Sequence, residues 1–181
     1  MKVRNFNCQA VVLKRVSVGE TDRVVTLLTQ EFGKIAVVAK GVRKLSSSKG
    51  AYLEPGNHIN AYCIATKSMP LLTQANLISD TADVRTSLLK MRQLNQLLEI
   101  FDQLFVETEL ETELFELILQ TRENVLQAVP SVKKIRGQLE QLSQILGFQD
   151  PQDTKFLNIS EYISALTDKK MHSFEFLTVK S

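Results

Sequence analysis

Seven cations near the start of the chain carry the chemistry this sequence offers most openly: Lys14, Arg15, Arg23, Lys34, Lys40, Arg43 and Lys44. Four lie in or beside one stretch, Gly33 to Gly50, which begins as an apolar strand and ends as a basic loop rich in glycine and serine. No acidic residue stands among its cations. Lysine and arginine on a loop anchored by a buried strand suit the grasp of a polyanion, because each one that meets a phosphate releases counterions. The bland alternative is a solvated connecting loop, and most basic loops are only that.

The charge distribution decides between the two. The chain of 181 residues carries a net charge of only +2. Residues 1–80, however, hold 11 Lys and Arg against 5 Asp and Glu, whereas residues 81–181 hold 11 against 15. The first fifty residues alone carry ten cations and only Glu20, Asp22 and Glu31 as anions. Charge segregated by segment in this way predicts a basic module for an anionic partner, joined to an acidic support. Phe6, Phe32, Tyr52 and Tyr62 could stack on bases, although any one aromatic is more often a core residue.

Catalysis is the least favoured class. The GVRKLSSSKG segment does not match a phosphate-cradling GxxxxGK[ST] loop. Glu20 and Asp22 share one turn, but two carboxylates without further oxygen ligands make a weak cation site. Glu107, Glu109, Glu111 and Glu113 read as a solvated helix start, where the helix dipole favours negative charge. Cys8 and Cys63 lie far apart, outside any CxxC pair, and His58 and His172 complete a ligand inventory too sparse for zinc. Neither a cofactor nor a metal is expected, and the cysteines read as small packing residues.

The elements that must position the cations follow from periodicity. Strands are expected over Phe6–Val16, Arg23–Thr29, Lys34–Lys40, His58–Thr66 and Pro70–Ile78, joined by turn-forming Val18–Asp22, Gln30–Gly33 and Pro55-Gly56. Five short strands with brief turns in under 80 residues suggest a small closed antiparallel barrel. In such a barrel the strand ends carrying the cations converge on one face. Ile35, Val37 and Ala39 then fill the core, while Lys40, Arg43 and Lys44 face phosphate, with Lys49 as a further contact.

Near Asp83 the period changes. Val84, Leu88, Met91, Leu94, Leu98, Phe101 and Phe105 recur at three- and four-residue steps, as in an amphipathic helix. Thr108 with Glu111 forms a capping-box pattern opening a second helix, and Ser131 caps a third after Pro130. A fourth starts near Asn158, with Glu161 at the reciprocal position, and His172–Val179 form a strand or a packed tail. The boundary between a barrel domain, 1–80, and a helical domain, 81–181, falls at Ser79–Asp83. No apolar run reaches a bilayer span and the N-terminus lacks a signal-peptide core, so a cytoplasmic location without membrane attachment is expected.

An ordered set of motifs then resembles a known family. Ala10-Val11-Val12-Leu13-Lys14-Arg15, Gly19-Glu20-Thr21-Asp22-Arg23 running through Thr29, Gly33-Lys34, Val38-Ala39-Lys40-Gly41-Val42-Arg43-Lys44 and Leu53-Glu54-Pro55 look like the N-terminal domain of the recombination mediator RecO. Glu113-Leu114-Phe115-Glu116-Leu117 and Ile145-Leu146-Gly147-Phe148 resemble helical segments of that family. The resemblance implies an α+β protein, an OB-fold barrel followed by helices. It also implies binding of single- and double-stranded DNA, annealing of complementary strands and assistance to RecA loading in recombinational repair, at the nucleoid. The family's partners are RecR and the C-terminal tail of the single-stranded-DNA-binding protein. Its basic positions carry over to Lys14, Arg15, Arg23, Lys34, Lys40, Arg43 and Lys44. Many members insert a four-cysteine zinc module after the third helix, which this chain replaces by PQDTKFLNISEYISAL. Against the DNA-binding reading stands a second, a protein-interaction adaptor whose barrel and acidic helices barely touch DNA.

Overall fold

Alternation of apolar and polar side chains builds five strands, and their pairings close into a ring. The structure is a computed structural model that describes residues 5–44, 47 and 49–177, leaving the Lys49 side chain aside. The strands are β1 (Asn5–Val18), β2 (Asp22–Thr29), β3 (Gly33–Ala39), β4 (His58–Ile64) and β5 (Leu71–Ser79). They form a closed barrel in the order β1-β2-β3-β5-β4, with β4 returning to β1. Every pairing is antiparallel except a single parallel step between Val38 and Leu71, which joins β3 to β5.

Strand β3 shows why this sequence is a strand. Ile35, Val37 and Ala39 enter the barrel core, while Lys34, Ala36 and Val38 between them are half-buried. Fully burying one such Val or Ile contributes about 1.5–3 kcal/mol, so a one-residue slip that turned the set outward would be costly. The run Ala10–Leu13 breaks the alternation because β1 is buried on both faces there. Ala10 and Val12 join the barrel core, and Val11 and Leu13 are buried on the opposite face. The register then shifts between Val12 and Lys14, a bulge that re-aims Lys14 and Arg15.

The chain divides into two compact units, Met1–Thr81 with Phe105–Leu110, and Ala82–Leu104 with Glu111–Ser181. In the second, a 3-10 turn (Ala82–Thr86) precedes α2 (Leu88–Leu104), α3 (Thr112–Leu126), α4 (Val132–Ile145) and α5 (Ile159–Thr167). The four-residue helix α1 (Lys49–Tyr52) belongs to the first unit. Helix α2 packs on α3 and α5, and α3 on α4. No helix among the described residues is long and apolar enough to cross a membrane.

Four sequence expectations change here. The apolar stripe assigned to α2 is buried at Val84, Leu94, Leu98, Phe101 and Phe105 but fails at its start. Leu88 and Met91 are exposed, and Gln93 and Gln96 are buried instead. Gln96 is buried against the C-terminal tail, which runs beside α2. Gln96 Oε1 accepts from the backbone N–H groups of Phe176 and Leu177 at 3.0 and 3.2 Å, and Glu99 accepts from those of His172 and Ser173 at 2.8 Å each. Extended backbone needs acceptors, and a buried amide side chain supplies them where a leucine could not. Residues 172–177 thus form a packed tail, and 178–181 lie outside the described residues.

The capping box at Thr108 and Glu111 does not form. Helix α3 starts later, at Thr112, with Glu111 as its N-cap and no side-chain cap bond. Residues 106–110 are held elsewhere by backbone bonds to the barrel, Lys34 N–H to Val106 O at 2.9 Å and Leu110 N–H to Gln30 O at 2.7 Å. Nor does Asn158 cap α5 through its side chain, although it does occupy the N-cap. Ser131 does cap α4, accepting from Lys134 N–H at 3.3 Å. Finally, the loop expected to run to Gly50 instead opens α1 at Lys49, whose side-chain position is outside the described residues, as are residues 45, 46 and 48.

Candidate nucleic-acid interface

One end of the barrel is built from two segments that are far apart in sequence and tied together by backbone groups. The first is the β1–β2 turn, Gly19–Thr21, and the second is the loop that leaves β3, residues 40–44. Asp22 is the clasp. Its Oδ1 accepts from the Gly41 N–H at 2.8 Å and from the Thr21 hydroxyl at 2.9 Å. Arg43 closes the same seam from the other side, its backbone N–H donating to Thr21 O and its Nη1 to Gly19 O, each at 3.0 Å. Gly41 turns the chain at φ +66°, in the left-handed region that a side chain disfavours. The stem of Lys44 lies beside it.

Five of the seven predicted cations gather here. Lys40, Arg43 and Lys44 are exposed on the loop, and Arg15 and Arg23 are half-buried at the barrel rim. Arg23 opposes Ala39 across β2–β3 and shares a strand face with core residues Val25 and Leu27. It therefore stands where the barrel interior opens. Arg15 opposes Val25, two rungs further in, and its Nη1 donates to Glu54 Oε1 at 2.5 Å.

These charges lie close enough to act on one another. Burial lowers the proton affinity of the Arg23 guanidinium, and Arg15 and Arg43 lower it further by repulsion, against the opposing pull of Glu54. Asp22 is held below the usual carboxylate range, first by the Gly41 N–H, then by the Thr21 hydroxyl, with Lys40 and Lys44 adding to the effect. A depressed carboxylate contributes its stabilisation above its unfolded value and loses it as pH falls through the folded one. The clasp should therefore hold at neutral pH and open only as the pH falls through the lowered folded-state value, beneath the ordinary carboxylate range. Asp22→Ala should open it at any pH. Amide exchange at Gly41 measures this directly, and we expect several-fold faster exchange in the variant with the barrel core amides unchanged.

Lys14 and Lys34 stand apart from this cluster. Lys14 opposes Thr26 and Lys34 opposes Leu28, which places both on the outer face of β1-β2-β3. Lys34 also lies near the start of β3, five residues from Ala39, about 16 Å along the strand from the loop end at ~3.3 Å per residue. The cations therefore form two sets, one at the rim and one on the sheet face, rather than one face. Of the aromatics, Phe6, Phe32 and Tyr52 pack against the core, with the Phe6 and Phe32 rings 4.7 Å apart, and Tyr62 is exposed.

Sequence reasoning did not foresee the roles of Asp22, Gly41 and Glu54. Asp22 reads in the sequence as half of a weak cation site, yet its carboxylate is committed to the loop. Glu54 lies 39 positions from Arg15, and no local pattern joins the two. The cysteines are buried thiols, pushed up by burial to about 12 for Cys8 and about 11 for Cys63. A thiol that resists ionisation is neither a nucleophile nor a ready metal ligand. Among the described residues, no group of three or more His, Cys, Asp or Glu could hold a metal ion.

Residues 1–80, the segment that supplies the barrel and both sets of cations, match the family described as Recombination protein O N terminal. This segment is thus similar to the N-terminal domain of RecO. Two relatives named DNA repair protein RecO agree. The protein from Frankia casuarinae is 41% identical over 74 residues, which is 41% of this chain and 30% of the relative. That from Heliobacterium modesticaldum is 34% identical over 102 residues, or 56% of this chain and 37% of the relative. The matched stretch thus spans only about a third of each relative's own length. The barrel of the matched segment, with the five-strand order described above, is an OB-fold.

Proposed function

We propose that this chain is a non-enzymatic DNA-binding factor of recombinational repair, which binds single and double strands and anneals complementary ones. The observation that carries the reading is the rim cluster. Arg15, Arg23, Lys40, Arg43 and Lys44 surround a seam held by backbone bonds, with Glu20, Asp22 and Glu54 the acidic groups among them. A polyanion gains from such a cluster without regard to base sequence, because the contacts are to phosphate. The relatives named DNA repair protein RecO support the same direction.

Annealing follows from charge. Two strands repel through their phosphates over about 10 Å at 0.1 M salt, and a cationic surface that meets both lowers that repulsion. Lys14 and Lys34 on the sheet face offer a second cationic area for the second backbone. The further steps that the family suggests, assistance to RecA loading and contacts with RecR and with the C-terminal tail of the single-stranded-DNA-binding protein, belong to the same proposal. So does action in the cytoplasm at the nucleoid. The test is strand annealing followed by energy transfer between two labelled complementary oligonucleotides. The reading expects stoichiometric protein to speed pairing at least tenfold over the spontaneous rate, with no nucleotide added and with the effect fading at high salt. Unchanged pairing together with DNA affinity insensitive to salt would instead favour a protein-interaction adaptor.

A further inference from the structure

At the barrel rim one carboxylate acts on two guanidinium groups. Glu54 accepts from Arg15 Nη1, and its charge acts on Arg23, which also senses Arg15 and Arg43. The Arg15 and Glu54 side chains keep 23% and 21% of their surface exposed. The pair is open to an incoming ligand rather than sealed. Glu54 itself is firmly placed. Leu53, the residue before it, is fully buried in the barrel core, and Glu54 O accepts from the Asn57 N–H at 3.0 Å.

A carboxylate presents two oxygens at a spacing much like that of the two unesterified oxygens of a phosphodiester, and arginine binds both groups through the same fork. We propose that Glu54 is a built-in stand-in for phosphate, which holds the rim arginines in place in the free protein and is displaced by a backbone phosphate when DNA binds. The inference rests on the DNA-binding reading and adds a regulating residue to that site. Arg15 then exchanges one anion for another. It releases few counterions on binding, and so contributes little to the salt dependence of affinity. Such an exchange makes binding weaker and more reversible than the number of cations implies. An annealing surface needs that property, since it has to let go of the paired product.

The measurement is fluorescence anisotropy of a labelled oligothymidine against NaCl concentration, for the wild-type chain and for Glu54→Gln, Arg15→Gln and the double variant, with thermal unfolding of each as a control. Glu54→Gln is expected to bind several-fold more tightly, with the salt slope steeper by about 0.7, the value of one added phosphate contact on a single strand. The gain should vanish when Arg15→Gln is also present. Arg15→Gln alone should leave the slope close to that of the wild type, because its charge was already answered. This last arm stands even if the Glu54 variant does not fold. Weaker or unchanged binding by a folded Glu54→Gln overturns the inference, as does a slope shallower by about 0.7 in Arg15→Gln alone. In either of those cases salt-dependent binding by the wild type leaves the DNA reading standing. A wild type that does not bind the oligonucleotide removes both.

Discussion

Gly33→Ala is expected to cost roughly 3–5 kcal/mol of stability, combining a left-handed backbone penalty with a steric clash. Gly33 has φ +62° and closes the β2–β3 hairpin, where Thr29 Oγ1 donates to its carbonyl at 3.1 Å. A methyl group added there would lie deep within van der Waals contact of the Val106 and Thr108 carbonyl oxygens, and 2.7 Å from Thr108 N. These are backbone atoms fixed by the bonds from Lys34 and Leu110, so the neighbour cannot simply swing aside. Against a total stability of about 5–15 kcal/mol, this loss is a large share. For a chain of this length it corresponds to a fall in melting temperature of about 10 °C. Gly19 is the control. Its φ is +58° but nothing lies within 4 Å of an added Cβ, so Gly19→Ala should cost only about 1 kcal/mol. Equal losses in the two variants, read by thermal unfolding, would show that the 105–110 segment does not press on the hairpin.

The second large effect is on binding. Lys40 and Lys44 are exposed, and both lower the Asp22 carboxyl without forming part of the backbone clasp. Replacing both with alanine should therefore remove charge and leave the fold intact. We expect single-strand affinity to fall roughly tenfold or more at moderate salt, and the salt slope to lose about 1.4, or 0.7 per contact. Arg43→Ala is a less clean variant. It removes a cation and also the bond from Nη1 to Gly19 O, so it loosens the seam as well. The loss in the double lysine variant should be similar across base sequences, because phosphate contacts carry no sequence information. A loss confined to one sequence would mean that these lysines read bases.

How much of this was visible in the sequence depends on the range of the interaction. The barrel strands announce themselves through local alternation, and Ile35, Val37 and Ala39 lie in the core as that pattern requires. The Gln30–Gly33 connection is legible for the same reason, since a left-handed glycine ending a three-residue loop is a local signal. The Thr108–Glu111 box was misleading because the bonds that hold residues 106–110 come from Gln30 and Lys34, more than seventy positions away. Gln96 was hidden likewise. A polar residue on a helix reads as solvent-facing until a tail eighty positions distant supplies its donors.

The candidate site divides along the same line. Its cations are legible as an excess of charge, and the loop that carries three of them is legible as a break in strand pattern. Their grouping is not. The sequence alone does not separate Lys34 and Lys14 from the rim, because strand register decides that, and the bulge after Val12 alters it. Nor does it join Asp22 to Gly41, or Glu54 to Arg15, since those bonds span 19 and 39 positions.

The account's central claim is that the rim cluster binds nucleic acid through phosphate. It is tested most directly by the slope of log affinity against log salt concentration for a labelled single strand. With Arg23, Lys40, Arg43 and Lys44 meeting phosphate and Arg15 offset by Glu54, the predicted slope is about −3, four contacts at 0.7 each. A slope near zero, or no binding at low salt, would contradict it.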